Sequence, residues 1–146
     1  MSLELAFLLI FIVFFVALLV SPIFLSRQKA PEEKNLTAAF EESCAVRRDF
    51  GSGSSLGRNM FLWRVTLYPE FMVLALFSRA IIPYGDIERV EIKNYQDYKE
   101  VWIRRRAEPI SELISVRSKN AEKMVEVFTS LGVHYDSATP HSGPRG

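Results

Sequence analysis

The sequence is short of almost every residue that marks a chemical site. One cysteine, Cys44, stands among 146 residues, so no disulfide can form within the chain. That usage fits a reducing compartment. Only two histidines occur, His134 and His141. Both lie near the C-terminal end, and neither has ligand spacing from Cys44, so neither a zinc site nor a cofactor is expected. The formal net charge is +1, which leaves no global field to attract nucleic acid or another polyanion. No Ser-His-Asp set, metal cluster or G-x-x-x-x-G-K-[ST] loop is present. Cys44 has Arg47 and Arg48 nearby, which would lower a thiol's pKa. A catalytic cysteine also needs a base, however, and no histidine is close to it in sequence. An enzyme is therefore not expected.

Apolar sequence is abundant and unevenly spread. The mean hydropathy of +0.09 averages a hydrocarbon-like first 25 residues with ordinary globular sequence. Residues 5–25 are apolar apart from Ser21 and Pro22, about 30 Å of helix and so about the thickness of a bilayer core. A cleaved signal peptide fits poorly: the run follows only an acidic Glu4, and no small-x-small cleavage site comes after it. A buried core helix fits poorly too, because the run is apolar all round and long for so small a domain. The expectation is a spanning anchor. Arg27, Lys29 and Lys34 flank its C-terminal side and no Lys or Arg its N-terminal side, so the positive-inside rule puts the N-terminus outside and the domain in the cytoplasm. The expected location is the plasma (cytoplasmic) membrane, crossed once.

Residues 26–57 read as a juxtamembrane segment followed by a flexible Gly/Ser-rich loop over 51–57. Residues 36–50 carry both helical and strand spacing and stay undecided. Residues 59–67 alternate, with Phe61, Trp63, Val65 and Leu67 on one face and Leu62, Arg64 and Thr66 on the other, as in a half-buried strand. Tyr68-Pro69-Glu70 turns the chain into a nearly continuous apolar strand over 71–77. Further strands are predicted at 80–82, around Val90 and Ile92, over 99–106, and over 112–117. The period then changes. Ala121, Met124, Val125, Phe128 and Leu131 make one apolar stripe on a helix, with Ser118 or Asn120 to cap its start and Gly132 to end it. Residues 133–146 should form a disordered tail.

Three stretches carry a resemblance. They are Arg64-Val65-Thr66-Leu67-Tyr68-Pro69-Glu70-Phe71-Met72-Val73-Leu74, Ile82-Pro83-Tyr84-Gly85-Asp86-Ile87-Glu88-Arg89-Val90, and Ser118-Lys119-Asn120-Ala121-Glu122-Lys123. Together they resemble the bacterial pleckstrin-homology-like (PH-like) and GRAM-like pattern. There, a strand-turn-strand precedes an I-P-[YF]-x-[DE]-I turn, and a Lys-Asn pair opens the closing helix. The resemblance covers roughly residues 58–132. It implies a corner packed by Tyr84 and Ile87 and permitted by Gly85. The expected fold is an N-terminal single transmembrane α-helix (3–25) followed by a mainly-β PH-like barrel or sandwich closed by a C-terminal amphipathic α-helix. The resemblance also implies a non-catalytic module that binds lipid headgroups, peptides or proteins. Phosphoinositide-binding members carry Lys and Arg around the first hairpin, whereas Tyr68-Pro69-Glu70 is apolar and acidic.

The candidate contact residues are Arg104, Arg106, Tyr95 and Tyr98. Arg104-Arg105-Arg106 is the basic run; on a strand, Arg104 and Arg106 share a face that would meet anionic headgroups or simply keep an edge strand solvated. Tyr95 and Tyr98 lie in a predicted loop as anchors for a protein partner. Trp63 and Trp102 read as core before groove. The expected function is a membrane-tethered binding or scaffold module for a protein or peptide. The alternatives are a self-associating structural subunit (a homo-oligomer) and an anionic-lipid binder using the arginine strand.

Overall fold

Strand β1, Phe40–Asp49, belongs to both halves of the sheet. The computed structural model describes residues 3–51, 55–56, 63–76, 78–106 and 111–137. The first half of β1 runs antiparallel to β3, Trp63–Leu67, from Phe40 opposite Leu67 to Cys44 opposite Trp63. Its second half turns to β8, Glu112–Arg117, from Ala45 opposite Arg117 to Asp49 opposite Leu113. A two-residue strand β2, Ser55–Leu56, pairs with its end. Beyond β3 come β4, Phe71–Ala75, and β5, Arg79–Pro83. Beyond β8 come β7, Lys99–Arg105, and β6, Ile87–Asn94. The order is β5-β4-β3-β1-β8-β7-β6, with antiparallel pairing throughout.

Residues 36–50, which the sequence leaves undecided, thus supply the central strand. Phe40, Cys44 and Val46 are buried at alternating positions, as a strand requires. Glu42, opposite Val65, breaks the apolar alternation. Its carboxylate accepts from Ser118 Oγ (2.5 Å) and from the Lys119 backbone N–H (3.0 Å).

β3 differs from the half-buried strand expected. Thr66, on the face opposite the apolar one, and Tyr68, read as part of the turn, have no exposed surface. The cover is the segment read as a linker. Pro31–Glu33 forms a short 3₁₀ turn, and Leu36 and Ala38, with Phe71, pack on the cluster of Tyr68, Val73 and Ala75. The Ala39 N–H donates to the Leu67 carbonyl at 2.8 Å. Glu33, wholly buried, fixes this cover: Arg79 Nε is 3.0 Å from Oε1, Arg64 Nη2 is 3.8 Å from Oε2, and the Tyr68 hydroxyl donates to Oε2 at 3.1 Å.

The closing helix α2, Ala121–Ser130, buries Ala121, Met124, Val125 and Phe128 in the main core with Val65, Met72, Ile103 and Ile114. It ends as predicted at Gly132, whose φ of 82° is left-handed. The Gly132 N–H donates to the Thr129 carbonyl and the Val133 N–H to the Phe128 carbonyl, both at 3.0 Å. This is the Schellman pattern that satisfies a helix's last carbonyls. The chain does not leave the domain there. Val133 is buried, and the next residues lie along β6, with Val90 N–H donating to His134 and Asp136 N–H to Val90, both at 2.9 Å. The rest of the expected tail, 138–146, lies outside the described residues, as do 52–54, 57–62, 77 and 107–110 from the predicted loop and strands.

At the corner, the Tyr84 hydroxyl donates to the Tyr68 carbonyl at 2.6 Å and its ring meets Phe128 edge-on at 6.0 Å. Ile87 is in the core. Gly85 has no special part: its φ is not positive, and an added Cβ would meet nothing within 4 Å.

The N-terminal expectation is corrected. Residues Leu3–Arg27 form helix α1, but among the described residues no helix is long and apolar enough to cross a membrane. The single-pass transmembrane element of the expected fold is therefore withdrawn. With it go the integral-membrane partner, the N-out orientation and the plasma-membrane location. The α1 that is present carries apolar side chains evenly round its axis, with Phe7, Ile10 and Phe11 each about two-thirds exposed.

Candidate functional site

The β6–β7 hairpin closes on a two-residue loop, Gln96-Asp97, with the Tyr95 N–H donating to the Tyr98 carbonyl at 2.9 Å. Residues that face each other across such a pair project to the same side of the sheet. The two rings accordingly stack at 4.7 Å, 23° from parallel. The side they share is the outer face of the β6-β7-β8 half, because Val90, Val101, Ile103, Ile114 and Val116 fill the inner one.

On β8, the neighbouring register sets Arg117 opposite Glu100. Two places further on, the same register brings Lys119 level with Tyr98. The Arg117 guanidinium lies over the Tyr98 ring, 3.6 Å from its centroid. Tyr98 is thus held between a ring and a cation, while Tyr95 keeps one face open and is 43% exposed. Burial, then the nearby Glu100 carboxylate, raises the Tyr95 hydroxyl's pKa, so it is a neutral donor at physiological pH.

Between turn 95–99 and the β8–α2 junction 117–119 lies a cleft of about 590 Å³. Its floor is fixed by Glu42, which holds Ser118 and Lys119. Ser118 Oγ also accepts from the Asn120 N–H at 3.0 Å, tying the junction to the start of α2. Asn120 is the N-cap but makes no side-chain cap bond. Lys99 is ion-paired with Glu122. Arg117 has only a loose pair with Glu100, at 3.8 Å. Its Nε is shielded from water and makes no hydrogen bond.

Tyr95 and Tyr98 are therefore brought together and joined by Arg117 and Lys119. Arg104 and Arg106 are not with them. They lie at the far end of β7, about 20 Å along the strand. Arg104 is exposed on the outer face and makes no ion pair among the described residues. Arg106 follows the strand and pairs with Glu88 at 3.3 Å, and its backbone N–H donates to the Asp86 carbonyl at 2.7 Å. Arg105 turns to Glu112 (3.2 Å) and Asp86 (3.4 Å). Glu112 is buried and also holds Arg48 at 2.5 Å.

Trp63 is core. Trp102 lies half-buried on the outer face, its Nε1 donating to Glu100 at 3.0 Å, with Lys93 over its ring. Cys44 is fully buried; burial, then the Glu42 carboxylate, pushes its thiol up to about 12, the opposite of an activated nucleophile. Among the described residues no group of three or more His, Cys, Asp or Glu side chains could hold a metal.

Sequence reasoning missed Arg117 and Lys119. Arg117 ends a strand and carries no local motif, and Lys119 was read only as part of the Lys-Asn pair before the closing helix; the signal was the cross-strand register, which puts both beside Tyr98. No protein-family model matches the chain, and no curated protein matches it significantly.

Proposed function

We propose that this chain is a non-catalytic binding module of PH-like architecture that takes a protein or peptide partner in the Tyr95–Tyr98 cleft. The architecture is supported by the strand order, by a first strand shared between two antiparallel halves, and by a C-terminal helix packed into the core. The observation that carries the function is the cleft itself. A half-exposed aromatic ring is held rigidly by a stacked partner and backed by Arg117, beside a junction that is already hydrogen-bonded in place. Tyrosine and arginine in such settings are the residue types that dominate binding energies at interfaces. A rigid site also loses little conformational freedom on binding.

The test is selection of a random-peptide display library on the full-length chain, followed by binding measurements with Tyr95→Ala and with Arg104→Ala/Arg106→Ala. The reading expects enriched peptides that lose binding to Tyr95→Ala and keep it for the double arginine variant. Failure of any Tyr95-dependent peptide to enrich, or loss of binding with the arginine variant alone, refutes the cleft as the site.

A further inference from the structure

The cations of the cleft differ in how far they are already engaged, and the difference points to the chemistry of the partner. Lys99 is neutralised by Glu122. Arg117 is less engaged: its guanidinium face is covered by Tyr98, and the carboxylate it pairs with, Glu100, stands 3.8 Å away. A guanidinium covered on its face presents its edge, and that edge is the fork that matches a carboxylate. The Lys119 side chain is exposed and has no ion pair among the described residues, while its backbone is pinned by Glu42. Asp97 is the one acidic residue lining the cleft. Two cations are thus poised beside one open aromatic face.

Resting on the reading of this cleft as a peptide site, we infer that its partner is an acidic peptide segment. One carboxylate pairs with the Arg117 edge, a second with Lys119, and an apolar or aromatic side chain between them lies on Tyr95. The site is too small in charge for an extended polyanion: with Lys99 committed, two cations remain, and the chain's net charge is only +1. Partly exposed ion pairs are screened by salt, so binding should weaken severalfold as ionic strength rises from about 0.05 to 0.5 M.

The same display selection on the full-length chain reads this out. Expected are peptides with two Asp or Glu residues flanking an apolar one. Their affinity should fall about tenfold with Arg117→Lys, which keeps the charge and loses the fork, and by a similar factor with Lys119→Ala. Replacing the peptides' Glu by Gln should remove the sensitivity to both. Peptides that enrich, depend on Tyr95 and carry no acidic preference would overturn the inference and leave the peptide site standing. Absence of Tyr95-dependent peptides overturns both. If glycerophosphoserine or inorganic phosphate displaces the selected peptides at millimolar concentration and Arg117→Lys abolishes this, the cleft is a headgroup or phosphate site and the acidic-peptide inference fails.

Discussion

Glu33→Ala should be among the most damaging single changes outside the main core. The carboxylate is wholly buried, faces Arg79 at 3.0 Å and Arg64 at 3.8 Å, and accepts from Tyr68 at 3.1 Å. Both arginine side chains are themselves mostly buried, 20% and 13% exposed. Removing the anion leaves two cations and a hydroxyl in a poorly solvated place. Breaking a buried pair from one side costs about 3–5 kcal/mol, more than the ~1 kcal/mol of a surface bridge. With a urea slope of about 1–1.5 kcal/mol/M for a domain this size, the unfolding midpoint should fall by roughly 2–5 M. Glu33→Gln keeps an acceptor for Tyr68 and loses the ion pairs, so it should fall between wild type and Glu33→Ala. Arg64 and Arg79 make further interactions, so a Glu33→Ala/Arg79→Ala cycle is needed to isolate the pair, with a coupling expected above about 1 kcal/mol. Equilibrium unfolding of the full-length chain, followed by tryptophan fluorescence, is the assay. If Glu33→Ala changes stability by less than about 0.5 kcal/mol, the segment 31–38 does not cover the sheet as described, and the reasoning fails.

Gly132→Ala should destabilise by about 1 kcal/mol, because φ is 82° and nothing crowds the new Cβ, so only the backbone penalty counts. Gly85→Ala should change stability by less than about 0.5 kcal/mol in the same melts. Cys44 should resist a thiol-specific reagent in the folded chain and react only on unfolding. Its folded pKa is raised from 9.0 to about 12, so it contributes stability that is complete below about pH 9 and is lost as pH rises towards about 12. Tyr68, raised from 10.0 to about 12, adds to the same alkaline loss, and Cys44→Ala should flatten the stability–pH curve above pH 9. Glu112→Ala should cost about 3 kcal/mol or more by stranding Arg48 and Arg105, measured by the same denaturant titration.

Alternation and period carried most of the strand and helix positions. β4 and α2 show it best, because their buried sets are apolar throughout: Met72, Val73, Leu74 and Ala75; Ala121, Met124, Val125 and Phe128. β1 was illegible for a physical reason. Its inward register includes Glu42, whose partners Ser118 and Lys119 lie 76 and 77 residues away, and no local window contains them. The cover on β3 was hidden in the same way. Pro31, Glu32 and Glu33 look like a polar linker until Arg64, Arg79 and Tyr68 are brought to Glu33. Of the candidate site, the tyrosine pair was visible in the chain. The cations beside it were not, because a contact set by register on a third strand leaves no mark near the hairpin that uses it.

The basic residues make the same point about function. The sequence drew attention to the one run of three arginines, yet Arg105 turns to Glu112 and Asp86, and Arg106 pairs at the surface with Glu88. Arg48, Arg64 and Arg79 also face inward acids, and Arg89 and Lys93 share Glu91. That carboxyl is held below its usual range, chiefly by its hydrogen bond from Lys93. Density of charge along the chain therefore does not locate charge that is available to a ligand. Availability is what remains after each acid has taken its partner. On the outer face of the second half-sheet it remains at Arg104, at Arg117, which lies over the Tyr98 ring, and at Lys119, whose backbone N–H is held by Glu42. A lone exposed arginine is paid for its solvation by water and gains little from a ligand. A stacked one beside a lysine with a pinned backbone has already lost part of that freedom, which favours the proposed cleft over the arginine run as a binding site.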